Sequence, residues 1–371
     1  MQNPKPLTIK KDFSIGDKFT WKVSVTAKYF VEISTEKELA DLVVSSEFKN
    51  TQKRYILGRG ANTLFAQKQY DGMVIEINNK GIEKIDEDTD HVYWRVAAGE
   101  DWVELVQRMV LTENLGGLEN LAYIPGKVGS APIQNIAAYG GAFEDVCTSV
   151  EYIDLNTLQK SALDQKECEF SYRNSKFKQM LERGNRSFVI WSVVLKLSKQ
   201  SKHTIEAGYF SNYESLQSEL NHLEGRRPTI QDICHAVVSL RKKKLPEVSE
   251  VGTNGSLFMN PIIQGNDLKK LLTKFPKLQY YPTEKMQYIP TSKIEIQNFH
   301  QYKIAAGHIF DEIGWKGKMV GKVGTWQKHA LVLCNYGTQD PGDIIKVIQM
   351  MQDDFESATG IRIEPEINIV S

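Results

Sequence analysis

Residues 123–141, YIPGKVGSAPIQNIAAYGG, gather small residues, turn formers and backbone donors where a loop is usually filled by side chains. Gly126, Gly129, Ser130, Ala131 and Ala138 leave room for a ligand against the backbone. Pro125 and Pro132 fix the chain, and Gln134 and Asn135 add amide donors and acceptors. The phosphates or ring edge of a cofactor fit that description; a tight glycine-rich turn between strands is the plainer alternative. Three further stretches share this character. Residues 57–64, LGRGANTL, follow the apolar Tyr55-Ile56-Leu57 and read as a strand entering a turn, where the N–H groups of Gly58, Arg59, Gly60, Ala61 and Asn62 can form an anion-binding nest. The third glycine of a dinucleotide fingerprint is missing and no long amphipathic helix follows, which weakens a Rossmann reading. Residues 97–102, AAGEDW, set Gly99 at a strand end, and GSLFMNP at 255–261 sets Ser256 behind a glycine, after the basic run Arg241 to Lys244. By itself that run reads as a solvated helix end.

Short strands and one helix precede these loops. Phe30–Ile33 is strand-like, and residues 35 to 46 carry a helical pattern with Thr35 as N-cap, as in a small βαβ unit. Strands dominate from about 71 to 198, at Met73–Ile77, Val92–Ala97, Ser149–Leu155 and Phe188–Leu197, with a helix at Trp102–Glu113. Residues 199–225 are polar and weakly periodic, as in a linker. A helix is predicted from Thr229 to about Lys243, and the remaining third alternates helices (Gly265–Phe275, Asp340–Thr359) with strands such as Ala330–Asn335. The 371 residues, 41% hydrophobic and 25% charged, suffice for two or three domains. Basic and acidic residues both number 46, so no whole-chain field points to nucleic acid, and the first residues show neither signal peptide nor anchor. Cytoplasm is the expected compartment. Cys147, Cys168, Cys234 and Cys334 are scattered, with no metal-ligand spacing, and read as reduced thiols.

Taken together, TAKYFVEISTEKEL, LGRGANTL, AAGEDW, YIPGKVGSAPIQNIAAYG, YRNSKFK at 172–178, KLPEVSEVGTNGSLFMNP, AAGHIFDEIGWKG and IRIEPEI resemble the UDP-N-acetylenolpyruvoylglucosamine reductase family, flavoenzymes of bacterial cell-wall precursor synthesis. The resemblance implies an α+β fold. A two-subdomain FAD-binding scaffold of the PCMH/vanillyl-alcohol-oxidase type would occupy residues 1–70 and 71–199. An α+β substrate-binding domain would occupy 200–371, its last strand returning Glu366 to the active site. It also implies a reaction in two halves: NADPH reduces bound FAD, and hydride then passes to the enolpyruvyl β-carbon of UDP-N-acetylglucosamine enolpyruvate, giving UDP-N-acetylmuramate. A monomer with no nucleic-acid or membrane partner and no metal is implied.

Hydride addition leaves carbanion character beside a carboxylate, which calls for a cation on that carboxylate and a proton donor at the α-carbon. By resemblance Arg173 holds the enolate, Ser256 donates the proton and Glu366 is the acid, with Glu364 its rival. Tyr172, Tyr213, Lys244, Asn260 and His329 fall on substrate contacts, Tyr213 on the closing loop of the longer subtype. The glycine-loop residues Gly58 to Asn62, Gly99, Pro125, Gly126, Gly129, Ser130, Gln134, Asn135 and Ala138 fall on FAD. This chain departs from the family pattern in reading GRGAN for GGGSN, in placing His329 where a glutamine is common, and in ending EINIV rather than EVRxI. Another FAD-dependent oxidoreductase on the same scaffold, or a binding module without catalysis, would keep the glycine loops without needing Arg173, Ser256 and Glu366 together.

Overall fold

The computed structural model describes residues 7–199, 214–283, 296–298 and 300–371, so Tyr213 lies outside the described residues. The first sheet runs Lys10–Ser14, Thr26–Ile33, Gln69–Ile77, Arg54–Leu57. Thr26–Ile33 and Arg54–Leu57 both lie parallel to Gln69–Ile77 and are joined by the helix Glu36–Val44, the crossover that parallel strands require. Thr35 starts that helix with a reciprocal capping box. Its hydroxyl accepts from Glu38 N at 3.2 Å, and Glu38 accepts from Thr35 N at 3.0 Å. The sequence boundary at 70/71 needs correcting: it cuts the strand Gln69–Ile77, whose pairing on both sides holds it in the first sheet.

Antiparallel strands make the second sheet, in the order Lys160–Asp164, Cys147–Asp154, Phe188–Lys199, His91–Ala97, Ile82–Glu87. The C-terminal third contributes one sheet around His329–Asn335, paired with Gly252–Ser256 and Val323–Trp326, and a smaller one around Gln301–Ile304. Helix Pro341–Thr359 starts at the Asp340 cap, with proline in its first turn, and stops at Gly360 in left-handed conformation (φ 72°). The polar stretch read as linker also needs correcting, because Glu214–Leu220 is a helix. Only Leu216 and Leu220 mark its buried side, too sparse a pattern to show a helical period.

Period-two alternation places the first sheet between two hydrophobic cores. Val31, Ile33, Met73 and Ile75 join the core of the second sheet, which also takes in helix Ile230–Lys244. Their neighbours Ala27, Phe30 and Val74 face the core of the C-terminal third, with Phe258, Phe310 and Phe355. Phe258 lies between Ser256 and Asn260 in sequence and stacks on Phe310 with ring centroids 5.4 Å apart. Truncating this buried ring, Phe258→Ala, is expected to cost about 3–5 kcal/mol of unfolding free energy. Urea unfolding measures it, and a loss under about 1 kcal/mol would contradict this packing.

Candidate active site

Residues 171–175 form the turn that carries the first chemical group. Ser171 and Asn174 exchange backbone hydrogen bonds at 3.1 Å, leaving Tyr172 and Arg173 at the turn, with Arg173 at φ 53°. Turns with positive φ at this position favour glycine, so an arginine here carries backbone strain that its surroundings must hold. They do so on the loop of small residues. Ser175 donates to the Ile133 carbonyl at 2.8 Å while capping helix Lys176–Glu182, Asn135 Nδ2 donates to the Ser171 carbonyl at 3.3 Å, and Arg173 Nη2 reaches the Ala137 carbonyl at 3.4 Å.

Arg173 Nε then meets Glu366 Oε1 at 2.7 Å, with both side chains largely buried. Glu366 is delivered by the chain end: the strand Asn368–Val370 lies parallel to Thr63–Phe65, and Asn368 N donates to the Asn62 carbonyl at 2.9 Å. Ser256 ends the strand Gly252–Ser256 with its side chain exposed, after Gly255 at φ 74°. The Glu366 N–H donates to the carbonyl of Leu257, next to that serine, at 2.7 Å. Met259 N pairs instead with the Glu364 carbonyl, one step along. The structure therefore brings Arg173, Glu366 and the backbone of Leu257, the residue after Ser256, together, with Glu366 rather than Glu364 at the arginine.

One more cation and a phenol join this group. Lys303, which the sequence reading missed, holds its ammonium 4.6 Å from the Tyr172 ring centre. Burial first, and Arg173 second, lower its pKa below the usual lysine value. Burial raises the Tyr172 pKa; Arg173 opposes this, Glu366 adds to it, and Asn260 is hydrogen-bonded to the phenol. Arg241, in the run read as a solvated helix end, turns inward instead. Its Nε donates to the Tyr123 carbonyl at 3.0 Å and burial lowers its pKa. Alternation in Gln301–Ile304 puts Lys303 on the face opposite the buried Tyr302 and Ile304, but nothing local names the tyrosine it would meet.

The two glycine loops face one another. A Cβ on Gly58 or Gly126 would lie 3.5 Å or 3.4 Å from the Ser130 hydroxyl, so both backbones open onto one hydroxyl-lined cradle. Gly60 takes φ 63° and packs where a Cβ would come within 2.4 Å of the Lys18 carbonyl, so no other residue fits. Gly99 N is held by Asn79 Oδ1 at 2.9 Å, and Gly129 N by the Ala98 carbonyl at 2.9 Å. Those two N–H groups shape the loops from within, while the cradle between Gly58, Gly126 and Ser130 leaves backbone open to a dinucleotide's diphosphate. Arg59 is ion-paired with Asp101, the cap of helix Trp102–Gln107, and Ala61 precedes Asn62 in the same turn. Pro125 is exposed and Ala138 lies in a short hairpin with Gly141. The side chains of Asn62 and Gln134 bind each other at 2.8 Å, and Asn135 is buried against Glu144 and Ser171. These three amides are thus used inside the protein, and Asn135 positions the arginine turn.

Asn260 and His329 line a cleft of about 310 Å³, with His308, Asp311, Lys316 and Lys328. Lys244, at the exposed end of its helix, lies close enough to act on the His329 charge. Leu331 N donates to His329 Nδ1 at 3.2 Å, which places the ring proton on Nε2. Burial, then Lys244 and Lys316, lower the His329 pKa, and Asp311 opposes them. Among the described residues no group of three His, Cys, Asp or Glu could hold a metal, and no helix is long and apolar enough to cross a membrane.

Residues 247–370 match the family described as UDP-N-acetylenolpyruvoylglucosamine reductase, C-terminal domain, and residues 27–157 match an FAD binding domain. The UDP-N-acetylenolpyruvoylglucosamine reductase of Flavobacterium johnsoniae is 35% identical over 364 residues, covering 98% of this chain and all of that protein. That of Bdellovibrio bacteriovorus is 36% identical over 363 residues, covering 97% and 99%. The crystal structure of the Thermus caldophilus enzyme superposes with a TM-score of 0.62 at 20% identity, over 98% of this chain and 99% of that one, and shows the shared fold.

A lowered histidine pKa gives a signed expectation. The unfolded chain binds the His329 proton more readily than the folded one, so the contribution of the neutral ring is complete above the ordinary value near 6.5. It is lost as pH falls from there toward the lowered native value. His329→Gln is expected to show a smaller drop in melting temperature between pH 8 and pH 5 than the parent protein; an equal or steeper drop would contradict a buried neutral ring.

Proposed function

The chain belongs to the UDP-N-acetylenolpyruvoylglucosamine reductase family, and on that premise we propose that it uses FAD to reduce UDP-N-acetylglucosamine enolpyruvate to UDP-N-acetylmuramate for peptidoglycan synthesis, with NADPH as hydride donor. The observation that carries the assignment of roles is the 2.7 Å contact between Arg173 and Glu366 at the place where both glycine loops and the Ser256 strand converge. FAD, when bound along those loops, supplies the two-electron carriage between nicotinamide and substrate. Gly58, Gly126 and Ser130 would line its diphosphate channel.

The protein's own groups then have three tasks. Arg173 and Lys303 hold the substrate carboxylate, where negative charge grows as hydride arrives at the β-carbon; a planar fork and a second cation suit that oxyanion. The Ser256 hydroxyl gives a proton to the α-carbon, completing the saturated lactyl ether, and takes one back from solvent. Glu366, bonded to Arg173, holds a proton or hydrogen bond at the enolate oxygen. Lys244, Asn260 and His329 bind the uridine diphosphate, His329 through Nε2–H. We place this chemistry in the cytoplasm, in a monomer.

Two variants separate the half-reactions in anaerobic stopped flow. Ser256→Ala is expected to bleach with NADPH at the parent rate and to recover flavin absorbance with substrate at least 10²-fold more slowly, about the effect of losing one transition-state donor. Unchanged reoxidation would remove the serine from its role. Arg173→Met is expected to slow reoxidation by about 10²–10³ while leaving bleaching intact; slowing of both halves alike would show a general disturbance of the flavin site instead.

A further inference from the structure

Lys18, Glu76 and Lys127 form a buried ion cluster that none of the roles above uses. Glu76 Oε1 lies 2.8 Å from Lys127 Nζ, and Oε2 lies 2.8 Å from Lys18 Nζ. The side chains of Glu76 and Lys127 are only 10% and 12% exposed. Lys127 completes its three N–H donors on the Ile77 carbonyl at 2.8 Å and on Asn78 Oδ1 at 2.5 Å. Lys18 has a second partner, Glu32 at 3.1 Å, on the solvent side. Burial tends to raise the Glu76 pKa, but the two lysines outweigh it and hold the carboxylate below its usual range. For Lys127 burial wins over Glu76 and lowers the pKa.

Such a cluster is a poor way to hold a fold together. Desolvating each ion costs several kcal/mol, and apolar side chains of similar volume often stabilise a site as well or better. Its location suggests why charge is kept here. Leu57 is the register partner of Glu76, so the carboxylate sits beside the entry to Gly58-Arg59-Gly60. The Lys18 carbonyl is the atom against which Gly60 packs, and Lys127 lies between Gly126 and Gly129 in the second loop. The cluster thus touches the base of both glycine loops at once. With Glu32 on Lys18 the cluster holds two lysines and two carboxylates and carries no net charge, so its contribution to the loops is positional.

We propose that Lys127, acting with Lys18 across Glu76, is a positioning residue for the cofactor's diphosphate: it locks the two glycine loops at their working separation. This rests on reading those loops as the FAD site. Because the donors of Lys127 Nζ are all taken by protein, its influence on the cofactor passes through the loop backbone, not through direct contact.

The test uses FAD-loaded protein and its variants, with FAD release followed by recovery of flavin fluorescence in a dilution series, and melting temperatures taken with and without added FAD. Lys127→Gln is expected to raise the FAD dissociation constant at least 10-fold, and Lys127→Arg to restore part of the loss. Lys18→Met should shift it in the same direction, which decides the matter if Lys127→Gln fails to fold. Glu76→Gln, which removes the carboxylate that both lysines share, should raise the constant in the same direction. Lower melting temperatures in Lys127→Gln and Glu76→Gln, with FAD affinity unchanged in both, would overturn the proposal while leaving the flavoenzyme reading in place. Failure of the parent protein to bind FAD would overturn both.

Discussion

The backbone carbonyl of Glu366 accepts Nδ2–H of Asn62 at 3.2 Å and Nε2–H of Gln134 at 2.9 Å, and on this shared acceptor the arrangement of the site depends. Its two donors come from the two glycine loops, and they are bonded to each other at 2.8 Å. A carbonyl offers two acceptor sites, so it is saturated by this pair. If either amide moved away, a partly buried acceptor would lose a partner at a cost of about 1–3 kcal/mol. Both loops thus help to hold the glutamate whose side chain lies beside Arg173. Cofactor loops and acid are thereby tied to one another, although more than 200 residues separate Gln134 from Glu366.

Charge in this site is arranged in anticipation of an anion. Arg173 and Lys303 lie in a part-buried space with Glu366 as the carboxylate bound to the arginine, and the lysine's lowered pKa reflects both burial and the arginine's repulsion. A substrate carboxylate would relieve that repulsion, and more so as charge on it grows during reduction. The strained turn serves the same end. Holding Arg173 at positive φ aims its Nε at Glu366 and its Nη2 at the Ala137 carbonyl, and glycine, which would relax the turn, would remove the charge.

The loops were legible in the sequence because their chemistry is compositional: glycine, alanine and serine in close array leave a backbone exposed wherever they fold. Helix starts at Thr35, Thr229 and Asp340 were legible for a local reason too, since each cap satisfies N–H groups within three residues. What could not be read was pairing at a distance. Gln69–Ile77 looked like the opening of the second half until its parallel neighbours on both sides placed it in the first sheet. Lys303 and Arg241 carried no local sign of their inward course, and Asn135, read as a cofactor contact, is buried against Glu144 and Ser171. Glu366 was separable from Glu364 by family resemblance alone, since alternation gives residues two apart the same side of an extended chain; in the structure position along the chain decides, and it is the Glu366 carboxylate that meets Arg173 at 2.7 Å.

The same alternation explains why the chemistry sits where it does. The first sheet is covered on both faces, with Val31 and Ile75 in one core and Phe30 and Val74 in the other, so its strand ends are the only part left to meet a ligand. Parallel strands align their carboxyl ends on one side, which gathers the turn after Leu57 and the segment after Ile77 at a single edge, the usual place for a ligand in such sheets. Each core brings one further element to that edge: the second sheet's core supports the loop of residues 123–141, and the C-terminal core supports the strands bearing Ser256 and Glu366. A flavin held there would have one part of the chain on either side. The reaction needs that arrangement, because the carrier must be gripped by one half of the protein while its reactive edge faces a substrate gripped by the other.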